Sequence, residues 1–416
     1  MKTAKMKIKI LVVFAGCSLL LFLPGCGGSG GKTLPPNTIA SSGSNVASIE
    51  VDTGPPSSGV AYANGAFVSV TVCVPGTSTC QTVPYVLVDT GSYGLRIVSS
   101  LLTVTLPQAM ASDGNPMVEC LQFLDSYTWG PVQTADVEIS SEKASSVPIQ
   151  VLSDTDYTVP SSCSSESAGA SADTVENLGA NGILGVGQFA QDCVSNGTCP
   201  ATDNQYYSCA SSPAACTAVD ATAAQQVQNP VALFATDNNG VIIELPAVSG
   251  AAATVTGSMV FGIGTESNNG LGSTTVYTAG SSTSNFPGNF STNFGSSDYT
   301  DAAFIDSGSN GYFFPDSNID QCASTSGAEG FYCPSSTVNL SATTLGINGT
   351  SGTINFSVAS AVNMFNDDPN DAAFADLGGT ASGYFDWGLP FFYGRNVFVS
   401  IEGKSAPGGT PPYWAY

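Results

Sequence analysis

Two stretches of this chain set an Asp in the same surroundings. Val86-Leu87-Val88-Asp89-Thr90-Gly91-Ser92-Tyr93-Gly94-Leu95 is answered far downstream by Ala303-Phe304-Ile305-Asp306-Ser307-Gly308-Ser309-Asn310-Gly311-Tyr312. Each apolar run reads as a buried strand that ends on a carboxyl. The glycine after it lets the backbone turn tightly and bring amide N–H groups to that carboxyl, and the flanking hydroxyls can hydrogen-bond it. Two such loops face to face would hold two carboxyls in one site. A lone Asp after a strand is commonly a turn cap, so it is the repetition that points to chemistry. A third triplet, Val51-Asp52-Thr53-Gly54, runs into Pro55-Pro56 without the second Ser or a preceding apolar strand, and reads as a linker turn.

Composition narrows the chemistry further. The chain has no histidine, which excludes Ser-His-Asp and Cys-His catalysis and histidine-based metal centres, leaving acid–base work to carboxylates, Tyr, Lys or Cys. A length of 416 residues suffices for one large two-lobed domain or two smaller ones. Abundant Gly, Ser, Thr and Val point to an all-β chain. With Lys2, Lys5, Lys7 and Lys9 removed in a leader, 5 basic residues face 32 acidic ones, a net charge of −27. That balance argues against a nucleic-acid partner. It suits either a solvated acidic surface or tolerance of acid, since few ion pairs would be lost as carboxyls protonate.

The paired loops resemble those of the pepsin-like aspartic peptidases, in which each of two lobes supplies one Asp-Thr/Ser-Gly-Ser/Thr loop. The resemblance implies an all-β bilobal fold of two β-barrel-like lobes related by an approximate twofold axis, with the active site in the cleft between them. Asp89 and Asp306 would be catalytic, sharing one proton and activating one water against a peptide carbonyl. Thr90 and Ser307 would hold the loops together, Ser92 and Ser309 would bond the outer carboxyl oxygens, and Gly91 and Gly308 would complete the turns. Neither metal nor cofactor is implied. Substrate would be a peptide or protein lying extended in the cleft, with the enzyme a monomer.

Other elements fall in the order the resemblance requires. Residues 67–74 and 83–88 read as a β-hairpin leading to Asp89. A second hairpin with arms at 122–132 and 135–139 resembles the flap, making Tyr127 or Trp129 the aromatic that would close over substrate; packing on the sheet is the alternative for either ring. Asn181-Gly182-Ile183-Leu184-Gly185-Val186-Gly187 resembles the apolar-apolar-Gly element that passes behind the first loop. Asp386-Trp387-Gly388 resembles its counterpart in the second lobe, with an Asp where an apolar residue is usual. Residues 229–245 read as a strand pair closing the first lobe, and residues 256–264 as the strand opening the second. The expected division is a signal peptide over 1–25, a Gly/Ser/Pro tether over 26–60, an N-terminal lobe over 61–250 and a C-terminal lobe over 251–416. A Cys-rich insertion spans 190–228.

The first segment has a Lys-rich start and an apolar run ending at Leu23-Pro24-Gly25-Cys26, then Gly27-Gly28-Ser29-Gly30-Gly31. It resembles a bacterial lipoprotein signal with Cys26 as the lipid-bearing residue, Cys17 being the rival. Gly27 beside the Cys resembles the pattern sorted to the outer membrane of Gram-negative bacteria, which implies a membrane partner reached through the lipid. Of twelve cysteines, ten remain after Cys17 and Cys26, an even number that suggests five disulfides in an exported chain. Short loops suggest Cys73–Cys80, Cys193–Cys199, Cys209–Cys216 and Cys322–Cys333, leaving Cys120 with Cys163, although spacing does not fix connectivity. The leading reading of function is an aspartic endopeptidase. Its rival is a surface-anchored binding or structural protein that keeps the fold without the activity, and a two-carboxylate glycosidase has only the acid count behind it.

Overall fold

The computed structural model describes residues 38–416, apart from 154–156, 166–167, 195–196, 211–214 and 368. The expected signal peptide, both candidate lipid sites Cys17 and Cys26, and residues 26–37 of the expected tether lie outside the described residues. The chain is predominantly β, with barrel-like sheets and only short helical segments. Among the described residues no helix is long and apolar enough to cross a membrane.

The strand Gly65–Cys73 pairs antiparallel with Cys80–Asp89, and the Cys73–Cys80 disulfide closes the end of that hairpin. Val83, Val86 and Val88 of the second arm are buried, which drives this strand inward and delivers Asp89 at its end. Cys80–Asp89 then runs parallel to Gly182–Val186, with Asp89 opposite Gly185. Gly182–Val186 in turn pairs antiparallel with Tyr93–Val98, so a returning strand sits between the two strands flanking the loop. The second half repeats this arrangement: Ser297–Ile305 runs parallel to Phe385–Trp387, which pairs antiparallel with Tyr312–Phe313.

The returning glycines are required by close approach. A methyl group at Gly185 would stand 2.5 Å from the Tyr93 nitrogen, and one at Gly388 would stand 2.1 Å from the Gly311 carbonyl oxygen. Each return therefore passes against the far side of its own Asp loop.

Four antiparallel strands tie early and late chain together in one sheet: Val46–Asp52, Val255–Phe261, Gly240–Leu245 and Arg395–Ser400. The first corrects the expected tether, because Ala47, Ile49 and Val51 point into the core while Ser48 and Glu50 face out. Asp52-Thr53-Gly54 accordingly follows a true strand, and its Asp52 side chain accepts the Gly54 amide at 2.8 Å. It remains a turn cap. Residues 229–245 contain a short 3-10 turn, Pro230–Leu233, and one strand instead of a strand pair.

The expected flap arms are also redrawn. Residues 126–139 form a single continuous strand, Ser126–Ile139, pairing with Met117–Gln122 on one side and Glu142–Leu152 on the other. The hairpin tip is therefore at residues 123–125. The four disulfides suggested by loop length are present, and so is Cys120–Cys163, the pair left by elimination. The largest apolar cluster runs through both halves, taking in Val88, Leu184, Ile305 and Trp387.

Candidate active site

Asp89 and Asp306 end equivalent strands and meet. The arrangement is legible at the glycines: a methyl at Gly91 would lie 2.7 Å from Asp306 Cγ, and one at Gly308 would lie 2.8 Å from Asp89 Cγ. Each loop thus passes beneath the opposite carboxyl, which only glycine permits.

The hydrogen bonds repeat across the pair. Gly91 N donates to Asp89 Oδ1 and Gly308 N to Asp306 Oδ1, each at 2.8 Å. Ser92 donates its hydroxyl to Asp89 Oδ2, and Ser309 donates to Asp306 Oδ2 at 2.7 Å. Between the loops, Thr90 N donates to Ser307 Oγ at 3.1 Å, and Ser307 N donates to Thr90 Oγ1 at 3.0 Å. Each hydroxyl passes its proton on to a carbonyl of the opposite strand, Thr90 to Ile305 at 3.0 Å and Ser307 to Val88 at 2.7 Å. This reciprocal lattice fixes the separation of the two carboxyls, because moving either loop would strip buried donors of their partners.

Both carboxyls are fully buried. Burial pushes Asp306 well above the usual carboxylate range, and the neighbouring charges of Asp89 and Asp386 push it further. Burial raises Asp89 too, but hydrogen bonds from Asp306, Ser92 and Gly91 and the Arg96 charge pull it back. The two sites titrate as a unit, with Asp89 the better holder of charge and Asp306 of the proton.

Arg96 explains part of the 190–228 insertion. Its guanidinium, wholly buried on the strand leaving the first loop, donates to Glu119 and Asp192 at 2.9 Å each and to the Tyr93 carbonyl at 2.8 Å. Asp192 accepts the Tyr206 hydroxyl at 2.5 Å. Asp192 and Tyr206 belong to the insertion, so that segment supplies groups that neutralise a cation behind Asp89.

The two flap candidates are placed differently from the aromatics beside the pair. Trp129 is buried against Tyr207, with ring centroids 5.2 Å apart, and its indole N–H donates to the Tyr157 carbonyl, so it packs on the sheet. Tyr127 is half-buried near Ser171 and Asp173. Tyr62 is one of two aromatics whose phenols feel the charge of both carboxyls. Burial raises its phenol, and the charges of Asp125, Asp306 and Asp89 raise it further. Its hydroxyl is buried with no hydrogen-bond partner. Asp125 lies at the hairpin tip, so the hairpin does reach the region of the pair. Tyr93, within the first motif, also lies beside both carboxyls. Tyr62 escapes sequence reasoning because it stands alone in a Gly-, Ser- and Pro-rich stretch.

A cavity of about 40 Å³ lies beside the first loop, lined by Thr90, Gly91, Gln188, Phe304 and Trp414 among others. It is large enough for water. Gln188 is buried there with neither its amide nitrogen nor its oxygen partnered. A larger cavity of about 640 Å³ is lined by Glu244, Arg395 and Phe398 and touches none of the motif residues. Among the described residues, Cys193, Cys199 and Asp203 are close enough together to suggest a metal set. The two sulfurs are joined in a disulfide, which removes the thiolates a metal would need.

Fold and site define a class: a predominantly β protein in which a repeated strand–loop–returning-strand unit brings two buried carboxyls together. The chain belongs to the family described as Protein of unknown function (DUF3443), whose profile matches residues 41–416. No curated protein matches it.

Proposed function

We propose that this protein is an aspartic endopeptidase with a pepsin-like bilobal fold, in which Asp89 and Asp306 activate one water. The observation that carries this reading is the reciprocal lattice of Thr90 and Ser307 between two loops that each bury a glycine under the opposite carboxyl. A structural turn cap would need neither the reciprocity nor the second acid.

In the working state the pair holds one proton. Asp89, the charged partner, takes a proton from a water bridging the two inner oxygens, and that water attacks the peptide carbonyl. Asp306 donates its proton to the carbonyl oxygen. The tetrahedral intermediate collapses as Asp89 gives its proton to the leaving nitrogen and a hydroxyl of the intermediate gives one to Asp306, which returns the pair to its single-proton state. Ser92, Ser309 and the two glycine amides hold the carboxyl planes fixed, so little reorganisation accompanies the transfers. The full burial of both acids requires an opening step, which we assign to the hairpin tip at residues 123–125 and to Tyr62. The unpartnered Gln188 amide would be free to bond the main chain of an extended peptide once the site has opened. A lipid on Cys26 would hold the enzyme at the outer membrane of a Gram-negative envelope.

The test is incubation of the full chain with a complex peptide mixture from acid to neutral pH, with cut sites mapped by mass spectrometry. Cleavage that disappears in both Asp89→Asn and Asp306→Asn supports the proposal. A folded wild type that cuts nothing at any pH sinks it and favours a surface binding protein on the same fold.

A further inference from the structure

The two halves repeat the Asp, the glycines, the hydroxyls and the register of the returning strand, but on the returning strand itself one buried position differs in polarity. In the first half Leu87 stands opposite Ile183. In the second, the equivalent Phe304 stands opposite Asp386, which also faces Phe313 on its other neighbour. Ile183 sits in an apolar cluster with Leu87, Phe67 and Tyr62. Asp386 places a carboxyl where its counterpart has a butyl group. It is fully buried, and neither of its oxygens has a hydrogen-bond partner. Beside it lie Phe304 and Tyr384, whose rings stack at 5.8 Å.

An orphaned, fully buried carboxyl is costly unless something in the site uses it. The polar group beside it is the Ser309 hydroxyl. Ser309 already spends its one proton on Asp306 Oδ2 at 2.7 Å, which leaves its oxygen free to accept. The titratable groups facing Asp386 are Asp306 and Asp89 at the two loops and the Tyr384 phenol next to it on its own segment. None of these is a cation, so the surroundings favour a neutral acid, which has a proton to give.

We propose that Asp386 is a third carboxyl of this site, a positioning residue whose O–H donates to Ser309 Oγ while the Ser309 hydroxyl donates to Asp306 Oδ2. The chain Asp386–Ser309–Asp306 strengthens the bond on the outer oxygen of Asp306, since a hydroxyl that accepts a hydrogen bond donates more strongly. It also gives the site a shut-off. When Asp386 loses its proton it must accept from Ser309, which withdraws the donor from Asp306 and sets a second negative charge beside the pair. Activity then ends on the alkaline side with the loss of this proton as well as that of the pair.

The inference rests on the peptidase reading for its kinetic consequence, so its test has two arms. In the kinetic arm, the pH profile of kcat/KM is measured for wild type, Asp386→Asn and Asp386→Leu. The amide keeps a donor and cannot ionise, so Asp386→Asn should retain turnover while its alkaline limb moves up to that of the pair alone, since the proton whose loss ended activity is no longer there to lose. Asp386→Leu, matching the first half, should move the alkaline limb likewise but also lower kcat, because Ser309 loses the donor that strengthens its bond to Asp306. An unmoved alkaline limb in both variants overturns the proposal. The second arm needs no activity: infrared difference spectra of wild type minus Asp386→Asn across pH. A protonated-carboxyl band at neutral pH that vanishes at higher pH is expected. An ionised-carboxylate band at neutral pH overturns the proposal whether or not the protein cuts peptides, whereas failure of cleavage alone strikes only the peptidase reading.

Discussion

Gly91→Ala isolates the geometry of the pair. The new methyl would lie 2.7 Å from Asp306 Cγ and 2.8 Å from its Oδ1, where ordinary contact begins at 3.4 Å. Asp306 is poorly able to yield, because Gly308 N holds one oxygen at 2.8 Å and Ser309 holds the other at 2.7 Å. The loop or the carboxyl must therefore shift by about 0.7 Å. Overpacking of this kind costs about 1–3 kcal/mol of stability. A shift approaching 1 Å at reacting groups costs roughly a hundredfold in rate. Urea unfolding should show the first effect, and kcat on a mapped peptide the second, with KM little changed. Gly308→Ala should behave alike, its methyl meeting Asp89 Cγ at 2.8 Å. Gly270→Ala is the control, since a methyl there meets nothing within 4 Å. A Gly91→Ala protein with wild-type turnover and stability would refute the close facing of loop and carboxyl.

Four further outcomes follow from the same contacts. Thr90→Val keeps the shape but leaves the buried Ser307 N–H unpaired, and should lower unfolding free energy by about 1–3 kcal/mol; Ser307→Ala added to it should cost less than its effect alone, as a double-mutant cycle would show. Asp192→Ala strips the buried Arg96 of one of its two carboxylates, and denaturant titration should register a loss of about 3–5 kcal/mol. Tyr62→Phe removes a hydroxyl that has no partner in the folded state, so melting should hold steady while turnover falls by roughly tenfold or more if the phenol engages substrate; Tyr127→Phe should leave both unchanged. Burial raises Asp306 and Asp386, so the folded chain keeps protons that the unfolded chain releases. Stability from these groups is full in acid and is lost as pH rises from about 4, the ordinary carboxyl value, through their folded values. Asp136 works oppositely: burial would raise it, but Ser146, Gly76 and Lys143 outweigh that and lower it, so its contribution is lost in strong acid. A melting profile that climbed steadily from acid to neutral pH would contradict the first assignment.

The parts of the site legible in the sequence were those encoded locally. Asp89 and Asp306 each announce themselves by a strand, a glycine and two hydroxyls within five residues, and the returning Gly185 by the apolar pair before it, whereas Gly388 follows Asp386-Trp387 and keeps only half of that signal. Disulfides were legible because four of the five close short loops. Val46–Asp52 was hidden although Ala47, Ile49 and Val51 alternate with polar residues. Its Gly-, Ser- and Pro-rich flanks outweigh a period-2 signal only seven residues long. The flap arms differ from the expected ones because Gln133-Thr134, the expected turn, lies inside one long strand, which also buries Gly130 and Pro131; Gly130 admits the Val151 carbonyl, which would stand 1.8 Å from a methyl. Tyr62 and Gln188 reach the site only through tertiary packing, which no spacing encodes. Asp386 was visible as a departure from an apolar pattern, but its meaning depends on the register that sets it opposite Phe304.

The central claim is that Asp89 and Asp306 act as one unit on one water. It is tested most directly by a cycle of Asp89→Asn, Asp306→Asn and the double variant, with kcat/KM measured on a single mapped peptide and folding checked by melting. Each single variant should lose activity by about 10⁴-fold or more and the double variant scarcely more, the non-additivity expected of groups that act as a unit. Independent, multiplying losses, or a single variant that keeps a substantial fraction of wild-type activity, would contradict the account.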